Sequence, residues 1–134
     1  MNLREARCLF TRLLTNDLMP WAYAQAYDPH SPLFGCEFAL DEGRVKSPRL
    51  VRKAGMVFEA KDAVHGNRGE FRSLHHDGRA VDILVYRQGQ YLSNGGDRAY
   101  RALGAYWKGL HELASWGYDF GDANHFSLSD GDRR

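Results

Sequence analysis

The chain has 134 residues, 43% hydrophobic and 26% charged, with 18 basic side chains against 17 acidic ones and a formal charge of +1. This balance lacks the basic excess of a nucleic-acid-binding domain, and the apolar content is that of an ordinary globular protein. The length suits one domain over 1–134, large enough to fold without staples.

The N-terminal stretch MNLREARCLFTRLL alternates charge with apolar residues. It lacks the uninterrupted apolar core of a signal peptide, and nothing in the chain approaches the 18 apolar residues of a membrane span. Synthesis in the cytoplasm without membrane insertion is therefore expected. Leu3, Ala6, Phe10, Leu13, Leu14 and Met19 recur at three-to-four spacing, which predicts an amphipathic first helix that Asn16-Asp17 or Pro20 ends or interrupts. A second helical piece is expected over 20–27. Cys8, among apolar neighbours, reads as a core thiol. The two cysteines, Cys8 and Cys36, make neither a disulfide framework nor a Cys-x-x-Cys zinc site.

Asp28-Pro29 and Ser31-Pro32 mark a loop, and CEFAL (36–40) alternates as a strand does. Arg44, Lys46, Arg49, Arg52 and Lys53 form a basic run that reads as a solvated face. Ser47-Pro48 starts a helix expected to reach about Val64. AVDILVY (80–86) is the clearest strand, followed by a turn over 87–90 and a short return strand, YLS. Asn94-Gly95-Gly96-Asp97 leads into the longest helix, expected over 98–116 and stopped by Gly117. HFSL (125–128) reads as a last strand. This order predicts an α+β fold, a small antiparallel sheet with helices packed on it.

His111-Glu112 begins like the zinc-protease pattern H-E-x-x-H, but Ser115 stands where the second histidine belongs. The pair is expected on a helix surface. The stretch SLHHDGRAVD (73–82) carries more. Alternation places Asp82 on the face of Ala80 and Leu84, opposite Val81 and Ile83. A carboxylate inside an apolar strand needs a basic residue, backbone donors or a metal ion. His75 precedes it across a turn containing Gly78. His125 begins the last strand, which can lie beside 80–86. His75, Asp82 and His125 would give three protein ligands and leave a fourth position open, the arrangement of catalytic zinc. Asp122, three residues before His125, would serve as general base. Taken singly, each is an ordinary loop, pairing or core residue.

The pattern Ser73-x-His75-x-x-Gly78-x-Ala80-x-Asp82 resembles the S-x-H-x-x-G-x-A-x-D signature of the LAS metallopeptidases, the group of lysostaphin, D-alanyl-D-alanine carboxypeptidases and sonic hedgehog. Asp122-x-x-His125-Phe126 is similar to the second half of that signature as it stands in phage L-alanyl-D-glutamate endopeptidases, which are endolysins. The resemblance is dense over about 70–128 and weaker before it. It implies a hedgehog/D-Ala-D-Ala peptidase-like fold and a single Zn2+ held by His75, Asp82 and His125. Asp122 would be the general base and acid. In the family, an Arg before the middle helix polarises the scissile carbonyl. Here Lys46-Ser47-Pro48 stands in its place with Arg44 nearby, so either Arg44 or Lys46 is the expected oxyanion donor. The implied substrate is the peptidoglycan stem peptide, cut by a monomer that reaches the periplasmic wall after release from the cytoplasm. A D-Ala-D-Ala carboxypeptidase or dipeptidase of the same fold, and a non-catalytic wall-binding module, are the alternatives.

Overall fold

The computed structural model describes residues 1–41, 74, 77–131 and 134. Its described part is an α+β arrangement of helices and an antiparallel sheet. The expected helix over 48–64 lies outside the described residues.

Helix α1 (Leu3–Arg12) starts with a reciprocal cap: the Asn2 side chain accepts the Glu5 N–H while the Glu5 carboxylate accepts the Asn2 N–H. Such a box satisfies two of the donors that every helix start leaves open. The chain does not break at Asn16-Asp17. It runs through a wide π-helical segment, Leu13–Leu18, directly into α2 (Met19–Ala26), where Pro20 sits in the first turn. Ala6, Phe10, Leu14, Leu18 and Ala22, spaced by four, are all buried. Cys8 is exposed, contrary to expectation, because it lies off this stripe; Cys36 is the buried cysteine.

Strands β1 (Cys36–Asp41) and β2 (Ala80–Arg87) pair antiparallel over their whole shared length. A two-residue turn, Gln88-Gly89, has both φ values positive (53° and 76°) and returns the chain into β3 (Gln90–Tyr91). Positive φ at both positions matches the twist of a tight hairpin. The return strand is thus shorter than YLS, with Leu92 adding a hydrogen bond to Val85.

Helix α3 (Arg98–Leu110) is capped by Asp97, whose side chain accepts the Ala99 N–H. It does not reach Trp116. His111 is already extended (φ −161°, ψ 151°), and its Nδ1 accepts the Leu113 N–H. This turns the chain into β4 (Ala114–Trp116), which pairs with β5 (His125–Leu128). Sheet pairing overrides helical periodicity here, so Trp116 is a strand residue. His111 and Glu112 lie in a turn, not on a helix surface.

The sheet order is β1-β2-β5-β4, with β3 beside β2. Val81, Ile83, Val85, Phe126 and Leu128 meet the helices in one core. Trp107 stands at its centre, edge-on to Phe10 (5.6 Å) and Phe126 (6.4 Å), with its indole N–H donating to the Ser127 carbonyl at 3.0 Å. Burial of this kind contributes about 25 cal/mol per Å2 of apolar surface and dominates the stability. No described helix is long and apolar enough to cross a membrane.

Candidate metal centre

With Val81, Ile83 and Val85 committed to the core, Asp82 takes the other face of β2, and it is half-buried as alternation predicts. Its cross-strand neighbours are Asp41 on β1 and His125 on β5. Directly opposed residues in an antiparallel pair share a face with Cβ atoms about 5 Å apart. Asp41, Asp82 and His125 therefore form one row across three strands. The expectation that the last strand lies beside 80–86 holds, in the register that opposes Asp82 and His125.

The third member comes from the turn before β5. A short 3-10 helix, Gly117–Phe120, ends at Gly121 in the left-handed region (φ 79°). The Asp122 N–H then donates to the Gly117 carbonyl (2.8 Å) and the His125 N–H to the Asp122 carbonyl (3.1 Å). Gly117 is obligatory for a steric reason: a Cβ there would lie 2.2 Å from the Asp122 oxygen and 2.9 Å from His125 Cβ. Trp116 braces the same turn, donating its indole N–H to the Ala123 carbonyl at 2.7 Å. Its ring fills the space over Gly104, where a Cβ would lie 2.1 Å from it.

Asp82, Asp122 and His125 consequently each offer a ligand atom within 4.8 Å of the others, and this group could hold a metal ion. His125 is buried, and its Nδ1 lies 3.8 Å from Asp82 Oδ1. That is too long for a hydrogen bond between the two atoms. Atoms each about 2.1 Å from a shared ion lie at most about 4.2 Å apart, so the separation fits a common ligation partner. Two carboxylates and an imidazole are a donor set for zinc and its first-row neighbours. The other ring nitrogen, Nε2, is 2.9 Å from the main-chain oxygen of Arg134. The Phe120 ring stands edge-on to His125 at 5.7 Å and carries the Arg134 guanidinium on its face at 5.3 Å.

Beside Asp122 opens a cavity of about 120 Å3 lined by Tyr91, Ser93, Tyr100 and Asn124. Asn124 donates to the Tyr91 hydroxyl (2.9 Å), and the Tyr100 hydroxyl donates to the Leu92 carbonyl (2.8 Å). Burial, with Tyr91 beside it, pushes the Tyr100 phenol well above its ordinary 10. Tyr100 is thus a neutral donor across the neutral range, and Asp122 is the only carboxylate among the described lining residues of the cavity.

Comparison of the chain with protein-family models, with curated proteins and with solved structures returns no match. The geometry therefore carries the functional reading. Of the residues expected from sequence, it brings Asp82, Asp122 and His125 together. His75, Arg44 and Lys46 lie outside the described residues. The described residues on either side of position 75 in the sequence are anchored. Leu74 is buried and its carbonyl accepts the Arg79 N–H (2.8 Å), Gly78 has φ 71°, and Arg7 Nε donates to the Asp77 carbonyl (2.6 Å). In the sequence Gly117 is legible only as a helix stop, and Phe120 and Arg134 carry no signal of their own, because their parts are set by contacts across the fold. Only the close spacing of glycine and aromatic residues in WGYDFGDANHF hinted at them.

Proposed function

We propose that this chain is a zinc metallopeptidase of the LAS type that hydrolyses the stem peptide of bacterial peptidoglycan. It would act as an L-alanyl-D-glutamate endopeptidase in the manner of a phage or prophage endolysin. The observation that carries the reading is the convergence of Asp82 and His125, opposed on adjacent strands, with Asp122 at the same point. These are the residues that the S-x-H-x-x-G-x-A-x-D and D-x-x-H-F resemblances single out.

In this reading His75, Asp82 and His125 hold Zn2+. When bound, the ion supplies Lewis acidity, bringing the ionisation of water toward a pKa of about 7 and polarising a carbonyl. Asp122 accepts the proton released from the attacking water and returns it to the leaving amine, as a carboxylate within reach of both positions does. Arg44 or Lys46 stabilises charge on the scissile oxygen. Trp116 and Gly117 keep Asp122 close to His125. The cavity beside Asp122, with the Tyr91, Ser93 and Asn124 polar groups at its wall, accepts a part of the substrate flanking the cut bond.

The deciding experiment is metal content by elemental mass spectrometry for the wild type and His125→Ala, followed by digestion of purified murein. Near-stoichiometric zinc lost in the variant, with new D-Glu N-termini in the digest, supports the reading. A folded wild type that takes up no zinc when it is supplied overturns it. Release of terminal D-Ala would move the activity to a carboxypeptidase.

A further inference from the structure

A histidine that binds a metal through one ring nitrogen needs the proton on the other, and that choice is set by the bond the second nitrogen makes. In His125 the two nitrogens face different partners. Nδ1 looks toward Asp82 Oδ1, and Nε2 looks toward the main-chain oxygen of Arg134. A main-chain oxygen only accepts. A hydrogen bond at 2.9 Å to it therefore requires a proton on Nε2, and in the neutral ring the lone pair then falls on Nδ1, the nitrogen on the Asp82 side. We propose that Arg134 is a positioning residue: its main-chain oxygen fixes the Nε2–H tautomer of His125 and so presents Nδ1 as the ligand atom.

The surroundings hold this oxygen in place. The Arg134 guanidinium lies over the Phe120 ring, and the Phe120 ring meets the His125 imidazole edge-on. The cation, the aromatic ring and the imidazole form a closed triangle in which Arg134 touches His125 directly and through Phe120. His125 is itself buried, which makes it costly to leave its N–H without an acceptor. Phe120, half exposed, is otherwise an odd residue to place at the mouth of a polar site. As the platform for Arg134 it has a use.

The use of Nδ1 as a metal ligand rests on the zinc reading; the tautomer does not, and can be read without metal. The test is nitrogen-15 correlation spectroscopy of the His125 ring in the full, zinc-free chain at mildly alkaline pH, where free imidazole is neutral. It is paired with zinc affinity by chelator competition. The expected spectrum has Nε2 protonated and Nδ1 bare. A chain ending at Gly131 is expected to show both tautomers and to bind zinc about 10- to 100-fold more weakly, the usual effect of losing a partner behind a metal ligand. Arg134→Lys, which keeps both the carbonyl and a cation for Phe120, is expected to keep the tautomer and the affinity. An Nδ1–H tautomer in the intact chain, or a shortened chain with unchanged spectrum, overturns the proposal. An intact chain with the expected tautomer and no zinc affinity overturns the zinc reading and leaves the Arg134 bond standing.

Discussion

Gly117→Ala tests the construction of the site at its tightest point. The added methyl would sit 2.2 Å from the Asp122 carbonyl oxygen, 2.9 Å from His125 Cβ and 3.0 Å from the Phe120 ring. None of these neighbours is the free end of a flexible chain, so the turn must open by about 1 Å. Overpacking of this kind costs about 1–3 kcal/mol. Loss of the 2.8 Å bond from Asp122 N–H to the Gly117 carbonyl adds about 1 kcal/mol. The total is about 2–4 kcal/mol. With a urea slope of about 2 kcal/mol per molar, the unfolding midpoint should fall by roughly 1–2 M. If the site holds zinc as proposed, its affinity should fall by at least about tenfold, because the displaced turn carries the ligand His125. Gly109→Ala is the internal control. It lies in α3 with open space around its Cα, so the same substitution should stabilise by about 0.5–1 kcal/mol. Paired urea titrations and chelator competitions decide the matter. A Gly117→Ala protein with the wild-type midpoint and affinity would refute the steric argument.

Other outcomes follow from the same contacts. On the proposed peptidase function, Asp122→Ala should keep zinc content while murein hydrolysis falls at least about 100-fold, the usual contribution of a general base; retained activity would remove Asp122 from that role. Trp116→Phe should lose about 1 kcal/mol in thermal or urea unfolding, since the Ala123 carbonyl loses its indole partner at 2.7 Å. Asp97 is held below its ordinary value of 3.8 chiefly by the paired hydrogen bonds from Arg87, at 3.0 and 3.2 Å. A lowered carboxyl pKa stabilises the fold above 3.8, and that contribution disappears as pH falls below it. Asp97→Asn should therefore be less stable than wild type at neutral pH, with the gap closing in acid; a pH-independent gap in urea midpoints would contradict this.

What could be read from the sequence, and what could not, divides by the range of the interaction. Strand β2 was legible because Ala80–Tyr86 is short, apolar and rich in β-formers, and Asp82 stood out as the residue that interrupts the apolar run. The hairpin announced itself through Gly89. The end of α3 was misread because Leu110 and Leu113 continue a helical spacing, whereas the pairing of Ala114–Trp116 with β5 is a contact between distant segments. Cys8 was misplaced for a different reason: it has apolar neighbours in sequence, but those neighbours point elsewhere. Asp82, Asp122 and His125 were legible as residue types at suggestive spacings. The row that joins Asp41, Asp82 and His125 was not, because register is a property of two strands at once.

The π-helical segment between α1 and α2 has a consequence for length variation. Buried residues six, ten, fourteen, eighteen and twenty-two keep a step of four, although an α-helix of 3.6 residues per turn drifts by about 40° at each such step. The wide turn at Leu13–Leu18 absorbs that drift by housing an extra residue. Deleting the exposed Asn16 would return the stripe to ordinary alternation of three and four, with Phe10 and Leu18 still turned to the core. The first helix is thus the place where this fold should tolerate the loss of a residue, and a shortened chain that unfolds like the parent would display that tolerance.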